Sequence, residues 1–336
     1  MTPNQESPLP SWDIESMLSI PCNEISDAEL LCKNPQVSVL LMTRNHADYI
    51  RQAVQSVIEQ VTIFEYEIVL GDDFSTDGTL EVCRELQLEH PEKVRLMTSP
   101  SQVGITSNFL RLQSRARAPL CALLEGDDYW TTTDKLQIQF NLMTANHDFS
   151  WCGARTQNRI HPLPAKRSYS LSDACRRFLV HTSTIMYRRS ALEHYPRFPD
   201  MVGWISMVCV VLAQAGRCGF LDHEVSYYRR HTGGLYTGSS SKRRIKLAQA
   251  FTDTIRPYLN YDYDRDLFER ELWICGWEFR FDPYTFSVGR WLTQIKILLI
   301  DETSRVVFRA PGRLLKLTAK LIAQPLAFFY FKLRTL

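Results

Sequence analysis

A chain of 336 residues that is 45% hydrophobic, 23% charged and 11% aromatic has material for about two domains' worth of core, and its composition is not that of a disordered, collagenous or coiled-coil protein. Its 39 Lys and Arg stand against 37 Asp and Glu, a formal charge of +2, too little for a general phosphate-backbone field, so no nucleic-acid partner is expected. The charge is uneven: residues 296–336 carry eight Lys/Arg against Asp301 and Glu302, which puts a basic end on a mildly acidic body.

Residues 1–34, dotted with Pro and acids, read as an N-terminal extension lying on the body. At Val37 the text changes to VSVLLMT, an apolar run of strand length, followed by the loop RNHADY and a helical pattern through Ile50, Val54, Val57 and Ile58. The unit recurs as the strand YEIVLGDD, the turn STDGT, the helix LEVCRELQLEH and the short strand VRLMTSP. A helix around Asn108–Ala116 then precedes PLCALLEGDDYW, a buried strand that again ends on acids. Strands alternating with helices predict an α/β fold, a mostly parallel Rossmann-like sheet sandwiched by helices. Ligands of such sheets bind beyond the carboxyl ends of the strands, where TRNH, GDD and EGDD all fall.

The second half is less regular. It reads as a helix over Lys135–Asn146, a strand over Phe149–Gln157, a basic loop at 158–170, a strand over Thr182–Tyr187 and an apolar helix over Ile205–Ala215 closed by Gly216. CGFLD then reads as a strand, and VSYYRRHTGG as an edge strand running into a Gly-rich loop. From about 241 the pattern is helical to the end. The expected divisions are the extension 1–34, a body 35–240 made of a nucleotide-binding half (35–148) and an acceptor half (149–240), and a helical, basic C-terminal region 241–336. Nine scattered cysteines without a C-x-x-C pair fit a reduced, cytosolic setting. The first residues lack the basic start and apolar core of a secretory leader, and no window of 18 uninterrupted apolar residues predicts a spanning helix.

Glu125-Gly126-Asp127-Asp128 carries the strongest chemical signal. Adjacent carboxylates at the end of a buried strand repel one another unless a cation sits between them and a ligand, and Mg²⁺ or Mn²⁺ takes carboxylate and phosphate oxygens while keeping its waters. A solvated acidic turn is the plain alternative for such a pair. Asp72 and Asp73 end another strand facing the same crevice, where a carboxylate accepts from a nucleobase N–H or a ribose hydroxyl. The Ser75–Thr79 segment after them reads as a turn and helix cap.

These four segments, VSVLLMTRNHADYIRQAVQSVIEQ, YEIVLGDDFSTDGT, ALLEGDDYW and YYRRHTGG, in this order and spacing, resemble the inverting family 2 glycosyltransferases of the GT-A fold over residues 35–240. The resemblance implies that Thr43 and Asn45 line a nucleotide site, that Asp73 holds the base with Asp72 beside it, and that Asp127 and Asp128 form the D-x-D-like element, Asp128 carrying the metal. It further implies that Arg229 and His231 close over the diphosphate, with His231 as a candidate additional metal ligand; an exposed basic edge is the other reading of that stretch. The partners implied are a nucleotide-sugar donor and a glycan or lipid-linked acceptor, the activity a hexosyl or related transfer in cell-surface polysaccharide synthesis.

One part departs from the family pattern. The acid that takes the acceptor proton should fall near Trp204 or Ile205, and neither side chain accepts a proton. Asp200, upstream in RFPDMVGW, is the candidate base; Asp222 reads as structural. The departure keeps open a non-catalytic nucleotide-sugar or glycan binder. Tyr129 and Trp130 read either as a sugar platform or as core, and Phe178–Arg189 as part of the acceptor wall. In the tail, Arg309, Arg313, Lys316 and Lys320 recur at helical spacing beside Leu314, Leu317 and Leu321, which reads as an interfacial helix placing residues 305–336 on the inner, cytoplasmic membrane surface, or as a helix docked on the body.

Overall fold

The computed structural model describes residues 13–158, 166–196, 198, 203–231, 241–267 and 269–270. In chain order these form α1 (Ile14–Ser19), β1 (Asn23–Ile25), β2 (Val37–Thr43), α2 (Ile50–Ile58), β3 (Tyr66–Asp72), α3 (Thr79–Glu89), β4 (Val94–Thr98), α4 (Ile105–Arg115), β5 (Leu120–Glu125), β6 (Tyr129–Trp130), α5 (Lys135–Ala145), β7 (Phe149–Gln157), β8 (Ser168–Tyr169), α6 (Leu171–Arg176), β9 (Met186–Arg188), α7 (Trp204–Ala215), β10 (Arg217–Tyr227) and α8 (Ser241–Tyr258). The chain divides into two units, residues 1–262 and 263–336. In the second, Arg265 and Glu269 pair one helical turn apart at 3.7 Å. Among the described residues, no helix is long and apolar enough to cross a membrane.

One ten-stranded sheet organises the first unit, in the order β1-β4-β3-β2-β5-β9-β7-β10-β6, with β8 on β10. Strands β4, β3, β2 and β5 run parallel, and every residue of β2 and β3 is buried, as a sheet covered on both faces requires. The reason lies in α2, whose Ile50, Val54 and Val57 recur on one face and pack into the cluster formed by Val37, Val39, Leu41, Ile68, Leu70 and Leu124.

The sheet is mixed outside that block. β9 runs antiparallel to both β5 and β7, β6 and β8 antiparallel to β10, and β1 antiparallel to β4. The N-terminal extension therefore supplies an edge strand as well as a short helix capped by Asp13. The expected strand over Thr182–Tyr187 is instead a 3₁₀ turn over Thr182–Thr184 followed by the short β9, because Thr184 Oγ1 bonds the His181 carbonyl at 2.8 Å and offers the backbone a local alternative to the ladder. The two segments expected as CGFLD and an edge strand are one strand, β10. It lies between β7 and β6 rather than at an edge, and register shifts between Leu221 and Glu224 and between Glu224 and Ser226 accommodate its polar middle. Asp222 sits there, exposed and paired with Arg155.

Candidate active site

Strand order reverses at β2: β3 and β4 lie to one side, β5 to the other, and the crevice outside their carboxyl ends is where an open α/β sheet admits a ligand. Thr43 and Asp72 are register partners at the ends of β2 and β3. Beyond them the two turns are laced together: Asn45 N–H donates to Ser75 Oγ at 2.9 Å, Thr76 N–H to Asn45 Oδ1 at 2.9 Å, His46 N–H to Thr79 Oγ1 at 2.8 Å and Ala47 N–H to Asp77 Oδ2 at 3.1 Å. Asp72 accepts from the backbone and hydroxyl of Ser75. Asp73 accepts from Val103 N–H at 2.7 Å and Gly104 N–H at 3.0 Å, one bond to each oxygen, which ties the loop before α4 to this turn. Burial raises the pKa of both carboxyls, against the pull of those hydrogen bonds.

On the other side of β2, β5 ends at Glu125 and turns through Gly126, Asp127 and Asp128 into β6. Pairing of Ser226 with Trp130 and of Tyr227 with Tyr129 fixes where the chain leaving β10 must go: back onto that acidic turn. Arg229 accordingly donates its backbone N–H to Asp128 Oδ1 at 2.9 Å, its Nε to the Asp127 carbonyl at 2.8 Å and its Nη2 to Gln52 Oε1 at 2.7 Å. Its guanidinium lies between the rings of Tyr49 (4.6 Å) and Tyr129 (5.4 Å). His231 Nε2 is 3.0 Å from Asp127 Oδ2, and His46 Nε2 approaches the same oxygen at 3.8 Å. Asp127, His231 and His46 are each partly open to the crevice, and burial holds the His46 imidazole below its ordinary pKa.

The two acids of the pair face different neighbours. Asp128 is 1% exposed, and its Oδ2 has no hydrogen-bond partner although His181 Nδ1 stands 3.4 Å away. Burial, then the charges of Asp127 and Glu125, raise its pKa well above its ordinary value. Glu125, Asp128 and His181 offer ligand atoms within 4.8 Å of one another. An orphaned buried carboxylate oxygen beside a second carboxylate and an imidazole is a donor set that fits a divalent cation.

The structure thus brings Thr43, Asn45, Asp72 and Asp73 to one side of the crevice and Asp127, Asp128, Arg229 and His231 to the other. Asp200 and the tail at 305–336 lie outside the described residues, as do 159–165 of the basic loop. Helix α7 starts at the buried Trp204 with no acid in its first turn. Of the two aromatics after the acidic turn, Trp130 is core, its Nε1 bonded to the Ser183 carbonyl at 2.8 Å, while Tyr129 is half-buried against Tyr227 and Arg229. Sequence reasoning missed His46, Tyr49, Gln52 and the ligand geometry of Glu125 and His181. His46 and Glu125 stand inside motifs already singled out, whereas His181 reaches Asp128 only through the sheet's long-range order.

Residues 38–196 match the family model "Glycosyl transferase family 2". An uncharacterized protein of Mycobacterium tuberculosis is 28% identical over 219 residues, 62% of this chain and 62% of that protein, so the match spans under two thirds of that relative's length. The putative teichuronic acid biosynthesis glycosyltransferase TuaG of Bacillus subtilis is 26% identical over 188 residues, 52% of this chain and 72% of TuaG. Among solved structures, the mannosyltransferase PcManGT of Pyrobaculum calidifontis, in complex with GDP-Man and Mn²⁺, aligns with TM-score 0.55 at 18% identity over 95% of this chain and 93% of its own, a likeness of fold that agrees with the expected GT-A architecture. Over residues 38–196, somewhat under half of the chain, the match to glycosyl transferase family 2 agrees with the resemblance read from the motifs and with a relative that is named as a glycosyltransferase.

Proposed function

We propose that the protein transfers a sugar from a nucleoside-diphosphate donor to a hydroxyl of a glycan or lipid-linked acceptor, with inversion, in cell-surface polysaccharide synthesis. The observation that carries this reading is the convergence of Asp127, Asp128, Arg229 and His231 at the carboxyl ends of β2 and β5, in a chain similar to the putative teichuronic acid biosynthesis glycosyltransferase TuaG. PcManGT, which shares the fold, was solved with a nucleotide sugar and Mn²⁺. Asp128 would hold a Mg²⁺ or Mn²⁺ ion, either with Asp127 and His231, as the resemblance implies, or with Glu125 and His181, whose ligand atoms lie within 4.8 Å of one another and of its own, and that ion would supply positive charge against the departing diphosphate. The Arg229 guanidinium, held in place between Tyr49 and Tyr129, adds a fixed cation on the same side, and Thr43, Asn45, Asp72 and Asp73 frame the nucleotide end. Asp200 is the proposed base, and residues 305–336 would seat the enzyme on the cytoplasmic face of the membrane.

A thermal-shift screen of UDP, GDP and their sugars with Mn²⁺ tests the donor site, and donor hydrolysis with and without EDTA tests the cation. Stabilisation by one nucleoside diphosphate and loss of hydrolysis on chelation are expected. No shift with any nucleotide refutes the reading; hydrolysis untouched by EDTA and by Asp128→Ala removes the metal role. The acid-free first turn of α7 favours a second reading, a binder without transfer. Asp200→Asn with unchanged transfer rules that residue out as base, and nucleotide binding without transfer from any donor favours the binder.

A further inference from the structure

On the reading that the crevice takes a nucleoside diphosphate, we propose that Phe74 is the surface on which the nucleobase stacks. The argument starts from backbone conformation. β2 and β3 end side by side, and each is followed two residues later by a residue with positive φ: Asn45 at 55° and Phe74 at 56°. Asn tolerates that region because its short side chain bonds locally, and here it accepts from Thr76 N–H. Phe has no such compensation, and a bulky residue there is a steric outlier held only where the surroundings dictate it.

Those surroundings are on both flanks. Ser75 is fixed by Asp72 through its backbone and hydroxyl and by Asn45 N–H, and Asp73 is fixed by the backbone of Val103 and Gly104. The turn also inverts the usual partition of residue types: Asp72 and Asp73 are 2% and 4% exposed, while Phe74, between them and Ser75, is 45% exposed. Of the exposed large apolar side chains among the described residues, Phe74 is the one on the turns that close this crevice.

Asp73 was expected to hold the base. With each of its oxygens already accepting a backbone N–H and its side chain buried, it serves as the brace that sets the turn, and the ring beside it is the accessible surface. An aromatic face binds any nucleobase by stacking and distinguishes a nucleoside diphosphate from a bare pyrophosphate. Phe74 thus supplies affinity for the base without selecting among bases.

The test measures affinities of UDP, GDP and inorganic pyrophosphate by thermal shift at fixed Mn²⁺ for the full chain and for Phe74→Gly, Phe74→Leu and Phe74→Tyr. Stacking predicts that Gly and Leu weaken the bound nucleotide roughly tenfold while Tyr keeps it, with pyrophosphate unchanged throughout. Gly adopts the positive φ freely, so the ligand-free Tm of Phe74→Gly should be no lower than that of the parent. A nucleotide affinity unmoved by Gly and Leu overturns the proposal, as does an equal loss for pyrophosphate. A ligand-free Phe74→Gly that melts well below the parent assigns the ring to packing and also overturns it. A parent chain that neither UDP nor GDP stabilises refutes the donor site itself, and the stacking role with it.

Discussion

Replacing Glu67 by Gln should destabilise the protein strongly while leaving its ligand site intact. Glu67 is fully buried in β3 and accepts four hydrogen bonds: from Ser38 Oγ at 2.6 Å and Arg117 N–H at 2.9 Å on one oxygen, and from Arg117 Nε at 2.6 Å and Arg95 Nη1 at 3.2 Å on the other. Gln keeps one acceptor and turns an NH₂ toward guanidinium donors. Removing one partner of a buried ion pair costs about 3–5 kcal/mol. Arg95 retains both oxygens of Glu24, at 2.8 and 3.0 Å, and Arg117 is a third exposed and can turn to water, so the lower end, about 3 kcal/mol, is expected. At about 2–4 °C per kcal/mol for a unit of this size, Tm should fall by roughly 10 °C. Glu67 is the second residue of β3 and Asp72 the last, so about 17 Å of strand separates the lesion from the crevice and nucleotide affinity should not move. Calorimetry and nucleotide titration on the same preparation decide it. A Tm within a degree of the parent would show that the ion cluster contributes nothing net, and a lost affinity with an intact Tm would show that the two ends of β3 are not independent.

Gly126→Ala should act at the site instead, because an added Cβ would lie 2.6 Å from Thr43 Oγ1 and 3.0 Å from His46 Nδ1; a stability loss of about 1–3 kcal/mol with a much larger loss of nucleotide binding is expected, read by melting and titration together. Asp128→Asn removes a charge that burial and its acidic neighbours disfavour while keeping an acceptor for Arg229 N–H, so the metal-free protein should melt higher than the parent yet lose its stabilisation by Mn²⁺; a lower metal-free Tm would contradict the repulsion argument. Lys135 is fully buried, bonded to Gln139 Oε1 and set over the Trp130 ring, and burial lowers its pKa to about 7. The unfolded amine, at an ordinary 10.5, holds its proton longer, so between about pH 7 and 10 the unfolded state binds more protons and the parent gains stability as pH rises. Lys135→Met lacks that slope: its Tm advantage should be largest at or below pH 7 and shrink toward pH 10, and parallel pH curves would refute the lowered pKa.

The parallel block of the sheet was legible because burial on both faces writes itself as near-continuous apolar runs, VSVLLMT and YEIVLG, broken only by Ser38 and Glu67 before their last residues, and because α2 repeats its core residues at helical spacing. The acidic ends of β3 and β5 were legible for the opposite reason, since adjacent carboxylates at the end of such a run need partners that apolar packing does not supply. β9 and the 3₁₀ turn before it were not, because hydroxyl-to-backbone bonds at Thr184 and a three-residue strand leave no period to read. Nor was the long β10, whose polar middle at Asp222, His223 and Glu224 looks like an interruption until two register shifts against β7 absorb it. The same distinction applies to the site: Thr43 and Asn45, Asp72 and Asp73 each come from one local motif, whereas the meeting of Asp128 with His181 and of Asp127 with His231 is a property of strand pairing far along the chain.

That pairing also explains why Arg229 is built as it is. A guanidinium free to swing would have to be ordered each time a diphosphate arrived, at the entropic cost of a long side chain. Here the backbone N–H of Arg229 is bonded to Asp128, its Nε to the Asp127 carbonyl, its Nη2 to Gln52, and its plane is flanked by two tyrosines. The residue therefore does two things with one geometry. It fixes the chain after β10 onto the acidic turn, so that His231 arrives at Asp127, and it places a positive charge beside the acidic turn that partly offsets the burial raising the pKa of Asp128. A lysine at 229 could keep the backbone bond and the charge but not the planar fork or the stacking between Tyr49 and Tyr129, and the preset orientation would be lost with them.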